Sequence, residues 1–145
     1  MTTFRYSCHC RAIQGEFRTE IPPAEWKLRS CTCTFCRCHG GCGVSDPAGS
    51  MTLHAVEESC LQRYRFGTGT ADCILCSRCG VVVAVLFDSG SGVFGVVNAN
   101  AVEPEPPGLP PSVRVSFDGE TLEGRLERRR RTWTPVYDPM EGTRQ

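Results

Sequence analysis

Long hydrophobic runs are missing from this chain: nothing in its 145 residues approaches the ~18 apolar positions that a bilayer-spanning helix needs, so no membrane segment is expected. The opening, MTTFRYSCHC, lacks the apolar stretch and small-residue cleavage site of a secretory leader, and the expectation is a cytoplasmic protein. Net charge is missing too. Sixteen Lys and Arg offset sixteen Asp and Glu, which removes the basic excess that nucleic-acid binding rests on. No internal repeat is present beyond a recurrence of cysteine clusters.

What the chain has is cysteine, at eleven positions, seven of them in three tight groups: Cys8-x-Cys10, Cys31-x-Cys33-x2-Cys36 and Cys76-x2-Cys79 followed by Gly80. The usage lies just under that of a secreted disulfide scaffold. In a reducing compartment, cysteines one or two residues apart hold metal more often than they oxidise, and an odd total cannot pair off completely. Metal-bound thiols are deprotonated, so the loaded chain would be mildly acidic, which again argues against nucleic acid.

A Cys-x2-Cys-Gly unit folds as a metal knuckle: the turn aims two sulfurs at one point, and glycine takes positive φ without steric cost. Cys76 to Gly80 fits this description. On a strand, residues i and i+2 share a face, so Cys8 and Cys10 can present two thiolates side by side. The two pairs make a tetrahedral set, Cys8, Cys10, Cys76 and Cys79, expected to hold a closed structural zinc. Cys31, Cys33 and Cys36 superimpose both spacings and converge without a local fourth ligand, the mark of an open catalytic zinc. Cys38, His39, Cys42 and Cys73 each remain as residues that could close that site. Cys60 reads as a small core residue, His9 as pointing away from its neighbours, and His54 as structural or exposed.

The length suits one domain over residues 1–145, and fifteen glycines with ten prolines indicate short strands and many turns. The expected fold class is mainly β, with strands over residues 11–19, 50–55, 62–66, 81–87 and 92–97. Residues 81–87, VVVAVLF, are apolar throughout, as suits a central strand covered on both faces. Residues 104–112, PEPPGLPPS, read as a surface loop, a connector with a lid over the site as the alternative. A half-buried strand follows over 112–118, with Val113, Val115 and Phe117 inward. A short helix is then indicated by Leu122 and Leu126, with Arg125 and Arg128 to Arg131 as its solvated face. Residues from about 132 to 145 are expected to form a C-terminal tail.

Several motifs occur together in a fixed order: Cys8-x-Cys10; Cys31-x-Cys33-Thr34-x-Cys36-Arg37 with Gly41; Tyr64-x-Phe66-Gly67-Thr68-x-Thr70-Ala71; Cys76-x2-Cys79-Gly80-Val81; Val97-Asn98; and Phe117-Asp118-Gly119. With this series the chain resembles the family of glutathione-dependent formaldehyde-activating enzymes, which includes centromere protein V, from Tyr6 to about Gly119. The resemblance implies a β-tent fold with two zinc ions, a structural one at Cys8, Cys10, Cys76 and Cys79 and a catalytic one at Cys31, Cys33 and Cys36. It also implies a carbon–sulfur lyase chemistry of the S-(hydroxymethyl)glutathione synthase type, with glutathione and formaldehyde, or a related thiol and small aldehyde, as partners. Arg37 and Arg11 are the nearest cations in sequence for glutathione's carboxylates. Arg11 stands where the family usually has glycine, Cys38 where lysine is usual, and Cys73 lies just upstream of the knuckle. A zinc-stabilised binding module or thiol-adduct carrier without catalysis is the alternative function. The Cys-x-Cys spacing argues against a third option, a β-tent methionine sulfoxide reductase.

Overall fold

A computed structural model describes residues 1–137. In chain order its elements are β1 (Thr2–Ser7), β2 (Ile13–Thr19), β3 (Arg29–Cys31), α1 (Thr34–His39), β4 (Gly43–Val44), β5 (Ser50–Ala55) and β6 (Leu61–Tyr64). There follow β7 (Asp72–Cys76), β8 (Val82–Asp88), β9 (Val93–Asn98), β10 (Val113–Val115), α2 (Leu122–Thr132) and β11 (Thr134–Pro135). The chain is mainly β. No helix among the described residues is long and apolar enough to cross a membrane.

Two sheets carry the architecture. The smaller has the antiparallel order β1-β2-β5, and it forms because β2 alternates buried Ile13, Gly15, Phe17 and Thr19 with outward polar residues. Gly15 is required by a close approach. The Tyr6 ring crosses β2 at that point, its hydroxyl donates to the Thr52 carbonyl at 2.6 Å, and a Cβ on residue 15 would collide with both groups. Trp26 closes this region edge-on against Phe4 and Phe17, with ring centroids 4.8 and 5.6 Å away.

The larger sheet runs β10-β3-β4-β9-β8-β7-β6, and β4 and β11 share the outer edge of β9 at Val97–Asn98 and Phe94–Gly95 respectively. Its pairings are antiparallel except β10 with β3. β8 lies inside the sheet with Val82, Val83, Ala84, Leu86 and Phe87 buried, which explains its unbroken apolar sequence.

The strand over residues 11–19 begins two residues later than expected, because Arg11 and Ala12 belong to the preceding turn. The strand over 62–66 ends at Tyr64. Only Val113–Val115 of 112–118 pair, and Val113 is exposed rather than inward because β10 is a three-residue edge strand. The N-terminal strand expected to carry Cys8 and Cys10 is β1, but it ends at Ser7, before both; β3, β4 and β7 were not expected from the sequence. Residues 104–112 form neither helix nor strand, and none of them lines the cavity described below.

α2 is present, capped by Thr121, whose hydroxyl accepts from the Gly124 N–H at 3.0 Å. Its faces depart from the expectation at two residues: Leu122 is exposed and Arg129 is only 7% exposed, while Leu126 is partly buried and Arg130 and Arg131 are exposed. The stretch from 132 onward is not all tail, since Trp133 and Thr134 are buried and β11 pairs with β9; residues 138–145 lie outside the described residues.

Candidate metal centres and cavity

Cys8 leaves β1 at a turn held by three contacts. Its N–H donates to Ile13 O (3.0 Å), the Arg11 N–H donates to its carbonyl (3.1 Å), and the Ile13 N–H points at its sulfur (3.3 Å). The Cys8-x-Cys10 pair therefore sits on a turn, not on a strand as the spacing suggested. Cys76 ends β7 in a matching turn: Gly80 N–H donates to Cys76 O (2.8 Å) and Cys79 N–H to Cys76 Sγ (3.5 Å). Gly80 has φ +79°, and Arg11 holds the corresponding place in the first turn with φ +68°. A glycine takes that conformation without steric cost, whereas Arg11 carries a Cβ into it.

The two turns bring together Cys8, Cys10, Cys76 and Cys79, whose four sulfurs lie within 4.8 Å of one another, with Cys10 3.5 Å from Cys76 and 3.7 Å from Cys8. This cluster joins the β1–β2 turn of the smaller sheet to the β7–β8 turn of the larger. Burial pushes the Cys8 thiol up to about 11. Burial acts the same way on Cys79, but the N–H groups of Cys10 and Val81 and the neighbouring thiols outweigh it and bring Cys79 down to about 6. Such a set can hold a metal ion.

The second cluster is built around the start of α1. Cys31 ends β3, Cys33 caps the helix by accepting from Cys36 N–H (3.4 Å), and Cys36 follows at i+3 on the same face. All three sulfurs lie within 4.8 Å of one another and are half-buried. Burial raises the Cys31 and Cys36 thiols. It also acts on Cys33, where the N–H groups of Cys36 and Phe35 and the adjacent thiols reverse it.

Among the described residues this group has three members, not four. Cys38 is exposed, as its position two residues past Cys36 on a helix requires. His39, Cys42 and Cys73 line the same cavity but stand outside the group. Cys60 is buried, its thiol 3.7 Å from Glu57, while His9 and His54 are exposed.

The second cluster opens on a cavity of about 250 Å³ whose inner wall is the β8–β9 surface, including Val82, Ala84 and Val97. Phe35 lines it, stacked with exposed Tyr64 (5.3 Å) and tilted against exposed Phe66 (4.8 Å). Neither Arg37 nor Arg11 lines this cavity. Arg37 is on the outward side of α1, and Arg11 serves the turn of the other cluster.

The cavity's cations are instead Arg29, Arg125, Arg128 and Arg129. Arg128 forms a two-pronged pair with Glu120 (2.8 and 3.1 Å) and lies 3.7 Å over the Phe117 ring. Arg29 donates to Ser45 Oγ (2.8 Å), and Ser45 donates to Thr132 O. Burial and the nearby arginines bring Arg129 down to about 10, so it remains a cation at neutral pH. The sequence reading missed these residues by treating the arginine run as solvated. A signal was present in Leu126, Arg129 and Trp133, which recur at i, i+3 and i+7 and end on a tryptophan.

Fold and site together define a mainly β chain carrying two cysteine clusters that can hold metal. No family model matches it, and no curated protein does. Among solved structures, the chain is similar to a Rhodobacter sphaeroides protein determined as a structural-genomics target. The two are 28% identical, the match covers 71% of this chain and 91% of that one, and the TM-score is 0.52.

Proposed function

We propose that the chain holds zinc at both cysteine clusters in a β-tent fold, and that its three-cysteine cluster captures a thiol for addition to a small aldehyde. This is the chemistry of the glutathione-dependent formaldehyde-activating enzymes it resembles. One observation carries the reading: three sulfurs converge on a cavity without a fourth member in their group, while the other cluster has four. Three protein ligands with one open position mark catalytic zinc, and four thiolates mark structural zinc. The spacing supports the metal, because zinc–sulfur bonds of about 2.3 Å imply tetrahedral sulfur–sulfur edges of about 3.8 Å. The closed cluster's contacts of 3.5 and 3.7 Å are close to that.

Zinc bound there would supply an open coordination position that lowers the pKa of an incoming thiol and holds it as thiolate at neutral pH. Cys31 from a strand end and Cys33 and Cys36 from one helix face fix the three donors. Their three negative charges favour thiol capture over polarising the aldehyde. Phe35 and the apolar β8–β9 wall keep water from one side of the reacting sulfur. The thiolate then donates an electron pair to the aldehyde carbon, the C=O pair moves onto oxygen, and that oxygen takes the proton the thiol released. Glutathione and formaldehyde give S-(hydroxymethyl)glutathione with every atom retained.

Calorimetry of the zinc-loaded protein with glutathione and S-methylglutathione tests the capture step, and the rate of adduct formation over the uncatalysed background tests the chemistry. The free thiol should bind much more tightly, and the protein should accelerate adduct formation. Equal affinity with no acceleration would leave a binding module and sink the enzyme reading.

A further inference from the structure

Arg129 is 7% exposed, and its Nε is buried without a hydrogen-bond partner among the described residues. Its Nη1 donates to the neutral Thr70 hydroxyl at 2.7 Å, and the rings of Trp133 and Phe87 lie 5.1 and 5.4 Å from its guanidinium. No carboxylate lies within ion-pair distance of it among the described residues. Of the nearby acids, Glu120 is taken: both its oxygens accept from Arg128, and Arg125 Nε is 3.5 Å from it. Asp118 also lines the cavity, outside ion-pair distance of Arg129. Arg125 Nε is also buried without a hydrogen bond. Arg29, on the same cavity, has the neutral Ser45 as its partner.

A buried guanidinium without a counter-charge is unfavourable, and an anionic ligand would supply the missing charge. All three arginines line the cavity that holds Cys31, Cys33 and Cys36. We propose that Arg129, with Arg125 beside it, is the anion subsite of this cavity and takes the carboxylate of an acidic thiol whose sulfur sits at the three-cysteine cluster. The inference rests on the thiol-capture reading of that cluster and names the residues that select its substrate class. A planar guanidinium matches the two oxygens of a carboxylate, so the subsite discriminates an acid from its ester. Arg129 is a positioning and specificity residue here; it orients the thiol by holding its far end.

The test compares wild type and Arg129→Met, both zinc-loaded, with three probes: glutathione, its diethyl ester, in which both carboxylates are masked, and S-methylglutathione. Wild type should bind glutathione about tenfold or more tightly than the ester, the difference expected of a lost charge-assisted hydrogen bond. Arg129→Met should remove that preference while leaving affinity for the ester unchanged. Without ligand the variant should melt no lower than wild type, because it loses an uncompensated buried charge. A purely structural arginine would instead lower the melting temperature and weaken all three probes alike, and that result would overturn the proposal. Should Arg129→Met not fold, Arg129→Lys keeps the charge without the planar fork and should reduce the preference for the acid over the ester; an unchanged preference would count against the subsite.

The two readings fail separately. If S-methylglutathione binds as well as glutathione and both depend on Arg129, the subsite stands and thiol capture falls. If the free thiol is preferred but Arg129→Met changes nothing, capture stands and the subsite falls.

Discussion

Replacing Cys76 with serine removes one of four sulfurs at a fully buried position, where Cys76 lies 3.5 Å from Cys10 and connects the turns of the two sheets. A structural thiolate zinc supplies about 10–16 kcal/mol of apparent binding free energy to folding, so one ligand in four is worth about 3 kcal/mol. That is a large part of the about 5–15 kcal/mol that stabilises a domain. At about 2–4 °C per kcal/mol for a chain of this size, Tm should fall by about 6–12 °C. Cys33→Ser is the control. Serine is a good helix cap, so its oxygen can still accept the Cys36 N–H that caps α1. That variant should melt within about 3 °C of wild type, under one kcal/mol or so on the same scale, and bind one metal fewer. Differential scanning calorimetry with metal analysis on both variants decides it. Equal losses of Tm would show that the second cluster stabilises the fold as much as the first, and the division into structural and open sites would fail.

Three further outcomes follow from the backbone and the charges. Arg11→Gly should raise Tm by about 2–4 °C, since a left-handed residue with a Cβ costs on the order of 1 kcal/mol, and an unchanged melt would mean that φ +68° carries no strain. Gly15→Ala should lower stability by about 1–3 kcal/mol by forcing Tyr6 off the Thr52 carbonyl, which chemical denaturation would register. Glu120→Gln should lower Tm at pH 7. Its hydrogen bonds from Arg128 hold the Glu120 carboxyl below the ordinary range, so its stabilisation is present above the unfolded value of about 4.3 and is lost as pH falls through the folded one. The gap in Tm between wild type and this variant should therefore narrow from pH 7 to pH 3; a constant gap would assign the effect to packing.

The cysteine clusters were legible because a spacing of one or two residues constrains where sulfurs can point whatever the surrounding fold. Cys76 to Gly80 forms a tight turn that brings Cys76 and Cys79 into the four-sulfur group for that reason. The support beneath Cys8 and Cys10 is a turn rather than a strand: both bring i and i+2 sulfurs together, and the hydrogen bonds that close the turn, with the positive φ of Arg11, are not visible in the spacing. β8 was legible from its unbroken apolar run. β7 was not, because Asp72, Cys73 and Cys76 interrupt the pattern with residues buried by a sheet neighbour and by the cluster. The arginines of the cavity were the largest omission. Four consecutive arginines look solvated in sequence, and the burial of Arg129 comes with its position against Phe87 of β8 and Trp133, a tertiary fact. Arg37 and Arg11 were chosen by closeness in sequence, which is a poor guide where a cavity draws its walls from distant segments.

The central claim is a four-sulfur site that belongs to the fold and a three-sulfur site that opens on a cavity. Titration of the purified protein with a zinc chelator, with metal content and circular dichroism followed together, tests it most directly. Two zinc ions per chain are expected, the first released while the β signal persists and the second only as the fold is lost. Release of both ions in a single step with unfolding, or a protein that binds only one, would contradict it.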